Sequence, residues 1–168
     1  MKRVALGILM FFLSGCAAGA DSASDFSSND LMFAAMMVPH HEQAIVMSDL
    51  ALKNSSNPQV LALATEIKNA QAPEIEQMKS WGDLDMGSHA GHGMSGMLSD
   101  RELQELESAT GADFDRLFLE GMIKHHEGAI EMAEMVTDSQ NPEVSALAKR
   151  IIKAQKAEIE LMKELLRP

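Results

Sequence analysis

The chain has 168 residues, and its 25 acidic residues outnumber its 14 basic ones, which gives a formal net charge of −11 with neutral histidine. Nucleic acid is therefore not an expected partner, because phosphate binding depends on Lys and Arg, whereas a metal cation suits this charge. Methionine occurs 14 times, but the sequence contains a single Cys, so neither an internal disulfide nor a multi-thiolate metal site is expected.

The first residues have the pattern of an export signal. Lys2 and Arg3 precede an apolar run over residues 4–13, which is shorter than the roughly 20 residues of a membrane-spanning helix. Residues 1–16 are therefore predicted to be a signal peptide. The order Leu-Ser-Gly-Cys resembles the lipobox of bacterial lipoproteins, which implies lipid attachment at Cys16. We expect an exported protein, held by lipid at a bacterial membrane and facing the periplasm or the cell exterior; an ordinary secretory signal is the alternative.

A tandem repeat follows a Ser- and Asp-rich segment, residues 17–29, which we interpret as a flexible tether. The predicted domain, 30–168, contains the pattern Met-x-x-His-His-Glu-x-Ala-Ile-x-Met twice, at residues 37–47 and 122–132. The offset between the copies is 85 residues, which divides the domain into repeat one (30–83), a connecting loop (84–98) and repeat two (99–168).

Each repeat is predicted to be a helical hairpin. Asn57-Pro58 and Asn141-Pro142 are typical helix starts, with an N-cap followed by proline at the first helical position. The flanking segments are rich in Ala, Leu, Met and Glu, with apolar residues at spacings of three and four, which indicates amphipathic helices. The predicted fold class is all-α, an antiparallel four-helix bundle made from two tandem hairpins.

Paired histidines face the interior of these predicted helices. At about 100° per residue, His40 and His41 straddle the inward stripe of their helix, whereas Glu42 points to solvent. Imidazole and thioether are soft ligands, so the histidines and the methionines that flank them are candidate metal ligands. These candidates are His40, His41, His125, His126, Met37, Met47, Met122 and Met132. The alternative is that the histidines are hydrogen-bonded core residues and the methionines fill the core.

The second helix of each hairpin carries polar residues on its apolar face. Such groups are costly to bury without partners, and a metal-bound imidazole usually donates its other N–H to a carboxylate or carbonyl. We therefore expect four side chains to support the histidines from behind. They are Gln71, Glu74, Gln155 and Glu158.

The connecting segment is too rich in Gly and Ser for a helix, and residues 86–97 are predicted to be a flexible loop. Its side chains of any length are two histidines and three methionines, which could surround one ion: Met86, His89, His92, Met94 and Met97. Thioether with imidazole favours Cu(I), with silver chemically similar, while imidazole alone also accepts Cu(II) or zinc. A plain linker is the alternative. Ser99 then has the pattern of an N-cap that begins a short helix ending near Ala109.

The doubled motif, with the segment from Phe114 to Phe118 that leads into its second copy, resembles a bacterial secreted family known as domain of unknown function number 305. The resemblance covers nearly the whole chain after the signal. It implies a ferritin-like bundle, and some members, called CopM-like, are copper-binding proteins linked to copper resistance.

The prediction is therefore a binding protein, not an enzyme, that holds copper, preferably as Cu(I), outside the cytoplasm for sequestration, resistance or delivery. A homo-oligomer or a metal-transfer partner is compatible with this role. The main alternative is a structural or interaction bundle without metal. A di-iron oxidase is disfavoured, because such sites use Glu-x-x-His, and the residues three positions before the four histidines are Met37, Val38, Met122 and Ile123.

Overall fold

The computed structural model describes residues 26–84 and 94–167. Within these residues the chain forms five helices and no strands, which confirms the all-α fold class. The helices are α1 (Ser28–Asn54), α2 (Pro58–Lys79), α3 (Asp100–Ser108), α4 (Gly111–Glu134) and α5 (Pro142–Leu165). Over the same ranges, no helix combines the length and the hydropathy that crossing a membrane requires.

The predicted helix starts are present. The side chain of Asn57 accepts a hydrogen bond from the Gln59 backbone N–H at 3.0 Å, and that of Asn141 accepts one from Glu143 at 2.9 Å. Each satisfies a backbone donor that the first helical turn leaves free. These caps begin α2 and α5, so each long hairpin turns at its Asn-Pro pair.

The short helix α3 begins with a capping box. The Ser99 hydroxyl accepts from the Glu102 backbone N–H, and a Glu102 carboxylate oxygen accepts from the Ser99 backbone N–H at 2.7 Å. The Ser99 hydroxyl also donates to the Glu102 carboxylate at 2.7 Å. This bond, the bond from the Ser99 backbone N–H and the nearby Lys124 ammonium lower the pKa of Glu102 to about 2. The cap fixes the point at which the connecting segment returns to helix.

The two hairpins meet through α1 and α4. The most extensive contacts are those of α1 with α2 and of α4 with α5, followed by those of α1 with α4, whereas α2 and α5 touch only marginally. The seam between α1 and α4 therefore holds the two hairpins together. These are also the helices that carry the paired histidines.

Two apolar clusters lie along this seam. One includes Met37 of α1 and Met132 of α4, packed with Trp81, and the other includes Met47 of α1 and Met122 of α4. Met37 and Met47 lie before and after the paired histidines of α1, about 15 Å apart along the helix axis at 1.5 Å per residue. The histidines therefore form a polar layer between two methionine-containing clusters.

Candidate metal centre

Four histidines are buried together where α1 meets α4. His40, His41, His125 and His126 all have an exposed fraction of 0%. The ring centroids of His40 and His125 lie 3.7 Å apart, with the ring planes at 39°, and those of His125 and His126 lie 6.3 Å apart. The two repeats thus contribute equivalent imidazoles to one buried layer across the seam.

Two of these rings are held by acidic side chains from the neighbouring helices. His41 Nε2 lies 3.0 Å from Glu74 Oε2, and His126 Nε2 lies 2.6 Å from Glu158 Oε2. A carboxylate oxygen accepts, so Nε2 carries a proton in both rings, and in the neutral form of each ring Nδ1 is the nitrogen with the lone pair. Both acidic side chains are 19% exposed, so each reaches the solvent edge while it fixes the orientation of a buried ring.

The other pair of rings differs between the repeats. His40 Nε2 lies 3.1 Å from the backbone carbonyl of Ser95, so it donates to that oxygen and Nδ1 again keeps its lone pair. His125, at the equivalent position, has no hydrogen bond of normal geometry at either nitrogen. The buried ring nitrogens without a partner are His40 Nδ1, His41 Nδ1, His125 Nδ1, His125 Nε2 and His126 Nδ1.

Unpartnered buried nitrogens are what a metal site without its ion is expected to present. Each buried polar atom without a partner costs about 1–3 kcal/mol, and native interiors contain few of them. A neutral ring has one lone pair, so a cation could be coordinated by one nitrogen of each ring, which would remove most of that cost. The donors present therefore fit a metal that accepts imidazole.

The electrostatic surroundings keep two of the imidazoles neutral. Burial, reinforced by the neighbouring His41 and opposed by the Ser95 carbonyl, lowers the pKa of His40 to about 3. Burial also holds the pKa of His125 well below its ordinary value, with His40 and His126 adding to the shift and the backbone of His40 opposing it. Neutral imidazole is the form that binds a metal, so at neutral pH neither ring has to be deprotonated before it can bind one.

The methionines flank this layer. Met37, Met47 and Met122 are fully buried and Met132 is 5% exposed. In the described residues, no three His, Cys, Asp or Glu side chains converge closely enough to hold an ion by themselves. A metal bound here therefore needs a thioether beside the imidazoles or a small movement of the rings, and thioether ligation selects soft ions.

Gln71 and Gln155 are placed differently from the acidic residues. Both are 3% exposed, but neither amide atom of Gln71 has a hydrogen-bond partner, and the Gln155 side-chain oxygen has none. The fully buried Ser48 hydroxyl also has no hydrogen-bond partner, and it was not predicted from the sequence as a site residue. Glu42 is exposed and pairs with Lys79 at 2.8 Å.

Part of the connecting segment also lies at this layer. Met94 and Met97 are half-buried, and residues 95–98 cross the seam between α1 and α4, where the Ser95 carbonyl reaches His40. This contact was not predicted from the sequence. A glycine at 128, inside a helix where glycine is unfavourable, was the one available signal. Met86, His89, His92 and Cys16 lie outside the described residues.

Known structures resemble this chain over most of its length. A protein from Streptomyces coelicolor, inferred to be secreted, is 30% identical, with a TM-score of 0.76 and coverage of 83% of this chain and 92% of that chain. A fragment from Deinococcus radiodurans is 32% identical, with a TM-score of 0.73 and coverage of 83% and 96%.

CopM in its Cu(II)-bound form is 37% identical, with a TM-score of 0.70 and coverage of 81% of this chain and 94% of that chain. Its Cu(I)-bound and silver-bound forms match as well. No match was found among curated proteins. The family model of the domain of unknown function 305 (DUF305) matches residues 30–166, and the chain therefore belongs to the DUF305 family.

Proposed function

We propose that the histidine layer, completed by methionine sulfur, binds a soft transition metal, and that this metal is copper. The observation that carries the proposal is the set of five unpartnered imidazole nitrogens in one buried layer. Three of the four rings donate a proton outward from Nε2 and keep an Nδ1 lone pair. A metal that takes these lone pairs is stabilised by the same outer hydrogen bonds, as in other histidine metal sites.

The donor chemistry favours Cu(I) and silver over harder ions. Met37 and Met132 lie in one cluster beside the layer, and Met47 and Met122 lie in the other. Thioether ligands select Cu(I) among biological metals, and imidazole alone also accepts Cu(II) or zinc. The relative CopM, with Cu(I)-, Cu(II)- and silver-bound forms, supports the same choice.

The proposed setting is outside the cytoplasm. The export signal and the lipid attachment at Cys16 are inferred from the sequence, and the similarity to a protein inferred to be secreted supports export. The four long helices are proposed to form an antiparallel, ferritin-like bundle in which the histidine layer crosses the centre. In the loop, Met86, His89, His92, Met94 and Met97 are proposed to capture or release the ion.

Binding, for sequestration or delivery, fits the site better than catalysis. Its acidic residues, Glu74 and Glu158, are engaged with His41 and His126, so no acidic cage for a di-iron oxidase is formed by them. Redox turnover faster than that of free copper would be needed to support an enzyme.

Anaerobic Cu(I) competition titration tests the proposal. His40→Leu combined with His125→Leu is expected to lower the affinity at least about 100-fold, because two direct ligands are lost and loss of an outer hydrogen-bond partner alone already costs about 10–100-fold. Met78→Leu combined with Met162→Leu is the matched control, since these methionines are also fully buried and occupy equivalent positions in the two repeats.

A third variant separates the two candidate binding elements. Deletion of residues 86–93 removes three loop donors, Met86, His89 and His92, and none of the residues that the structure describes. If only this deletion abolishes copper binding, and the histidine variant binds like the wild type, the loop is the binding element and the histidine layer is structural.

A further inference from the structure

Residues 95–98 form a strap across the seam between α1 and α4. One end is held by Gln43 of α1, whose side-chain amide donates to the Leu98 carbonyl at 2.9 Å and accepts from the Leu98 backbone N–H at 2.8 Å. The Leu98 side chain is only 7% exposed. This end of the strap is therefore bound both by backbone hydrogen bonds and by packing.

The other end of the strap lies directly on the backbone of α4. A Cβ on Gly128 would overlap the Ser95 carbonyl and lie 2.9 Å from the Gly96 Cα. Gly96 has a φ of +83°, and a Cβ there would overlap the Lys124 carbonyl. The Ser95 hydroxyl also donates to Glu131 at 2.7 Å. Such a close backbone approach requires glycine on both sides.

The two ends are held by equivalent positions of the repeat, because Gln43 and Gly128 are separated by the same 85 residues as His40 and His125. Gln43 binds the strap through hydrogen bonds. Gly128 has no side chain and leaves room for the strap backbone, and this space is called the notch. Together they fix the Ser95 carbonyl against the ring of His40. His125, the equivalent ring, receives no such carbonyl.

We infer that the strap positions His40 for metal binding: the notch at Gly128 sets the Ser95 carbonyl on Nε2, which fixes the ring and its tautomer and leaves Nδ1 as the ligating atom. A backbone carbonyl can only accept, so it selects the tautomer with the proton on Nε2. This inference rests on the proposed function, because it assigns a role within that site. Gln43 and Gly128 act through Ser95 and are positioning residues.

The size of the effect follows from known outer hydrogen bonds to metal-binding histidines. Loss of such a partner costs 10–100-fold in metal affinity in other proteins. If the strap is displaced, the buried Nε2 of His40 loses its acceptor, and the ring can take either tautomer. A fraction of the rings then presents a protonated Nδ1, which cannot ligate a metal, and the orientation of the ring is no longer fixed.

Gly128→Ala is the test variant and Gly121→Ala its matched control. Both substitutions lie in α4 and both raise helix propensity by about 1 kcal/mol. A Cβ on Gly121 would meet only side-chain ends, the Leu98 Cδ2 at 3.2 Å and the Met47 Cε at 3.4 Å. Only Gly128→Ala therefore pushes against the backbone of the strap.

Two readouts are measured on the full chain. Long-range ¹H–¹⁵N correlation spectra of the metal-free protein report which nitrogen of His40 carries the proton, and anaerobic Cu(I) competition gives the affinity. The wild type and Gly121→Ala are expected to carry the proton on Nε2. Gly128→Ala is expected to show mixed tautomers and a Cu(I) affinity about 10–100-fold lower. An unchanged tautomer and affinity in Gly128→Ala would overturn the inference.

Gln43→Leu keeps the inference testable if Gly128→Ala does not fold, because it removes both hydrogen bonds to Leu98 without adding bulk in the notch. It is expected to shift the His40 tautomer in the same direction, and an unchanged tautomer would overturn the inference. A wild type that binds no Cu(I) would refute the proposed function itself. Wild-type binding together with an unchanged tautomer in the strap variants would refute the positioning role alone.

Discussion

His125→Leu is expected to stabilise the metal-free protein. His125 is fully buried, and neither ring nitrogen has a hydrogen bond of normal geometry, so the wild type bears an unsatisfied polar group that leucine, of similar volume, does not have. At about 1–3 kcal/mol for such a group, the free energy of unfolding should rise by about 1–3 kcal/mol. For a domain of this size that corresponds to a melting temperature about 3–10 °C higher.

His126→Leu is the matched comparison. This substitution also removes an unpartnered Nδ1, but it breaks the 2.6 Å hydrogen bond to Glu158, and a bond to a charged partner contributes about 1.5–3 kcal/mol. The two effects oppose each other. The metal-free stability of His126→Leu is therefore expected to stay near or below that of the wild type.

Urea denaturation of chelator-treated proteins measures this difference, and the addition of Cu(I) should reverse the order. Free ligand at about 1,000 times its dissociation constant stabilises a binding protein by about 4.1 kcal/mol, which exceeds the predicted difference of about 1–3 kcal/mol and which His125→Leu should largely lack. If His125→Leu is instead destabilised by 1 kcal/mol or more without metal, His125 is a satisfied core residue, and the argument from unpartnered nitrogens fails.

The metal-free protein should lose stability as the pH falls from about 6.5 towards 3, because the unfolded chain binds a proton at His40 that the folded protein, with its pKa at about 3, does not. His40 alone lowers the free energy of unfolding by about 1.4 kcal/mol for each pH unit within this range. Equal urea midpoints at pH 7.5 and 5.5 would contradict this expectation. Met37→Leu combined with Met132→Leu should weaken Cu(I) binding at least about tenfold, since near-isosteric leucine keeps the packing but removes the sulfur; Met78→Leu is the control in the same cluster. Ser99→Ala should lower the free energy of unfolding by about 1 kcal/mol through loss of the α3 cap, measured by urea denaturation, with no change in copper affinity.

Local patterns in the sequence were sufficient for the helices. The Asn-Pro pairs at 57 and 141 specify where α2 and α5 begin, because capping depends on residues next to each other in the chain. Helical periodicity likewise placed Glu42 in solvent and the paired histidines inside, and these residues are exposed and buried as expected. Helix starts and helix faces can be predicted because each depends on the sequence of a single helix.

The arrangement across the seam could not be predicted in this way. His40 and Ser95 are 55 residues apart, and nothing in the local sequence of either indicates the contact. From the sequence alone, Gly128 is a residue that weakens its helix, and Gln43 is an ordinary helical glutamine. Their contacts with residues 95–98 are seen only in the folded chain. The close pairing of His40 with His125 depends on how two hairpins dock, which periodicity does not determine.

The duplication within one chain has a consequence for symmetry. A homodimer of identical hairpins would carry the same residue at both positions corresponding to 43 and 128. It would therefore have two hydrogen-bonding glutamines or two glycines. A single segment that crosses a twofold axis has different residues at its two ends, so it cannot make the same contacts with two identical hairpins. In the tandem chain the two copies carry glutamine on one side and glycine on the other, and one asymmetric segment can lie over a nearly symmetric centre. The tandem arrangement thus allows the Ser95 carbonyl to reach His40 but not the equivalent His125.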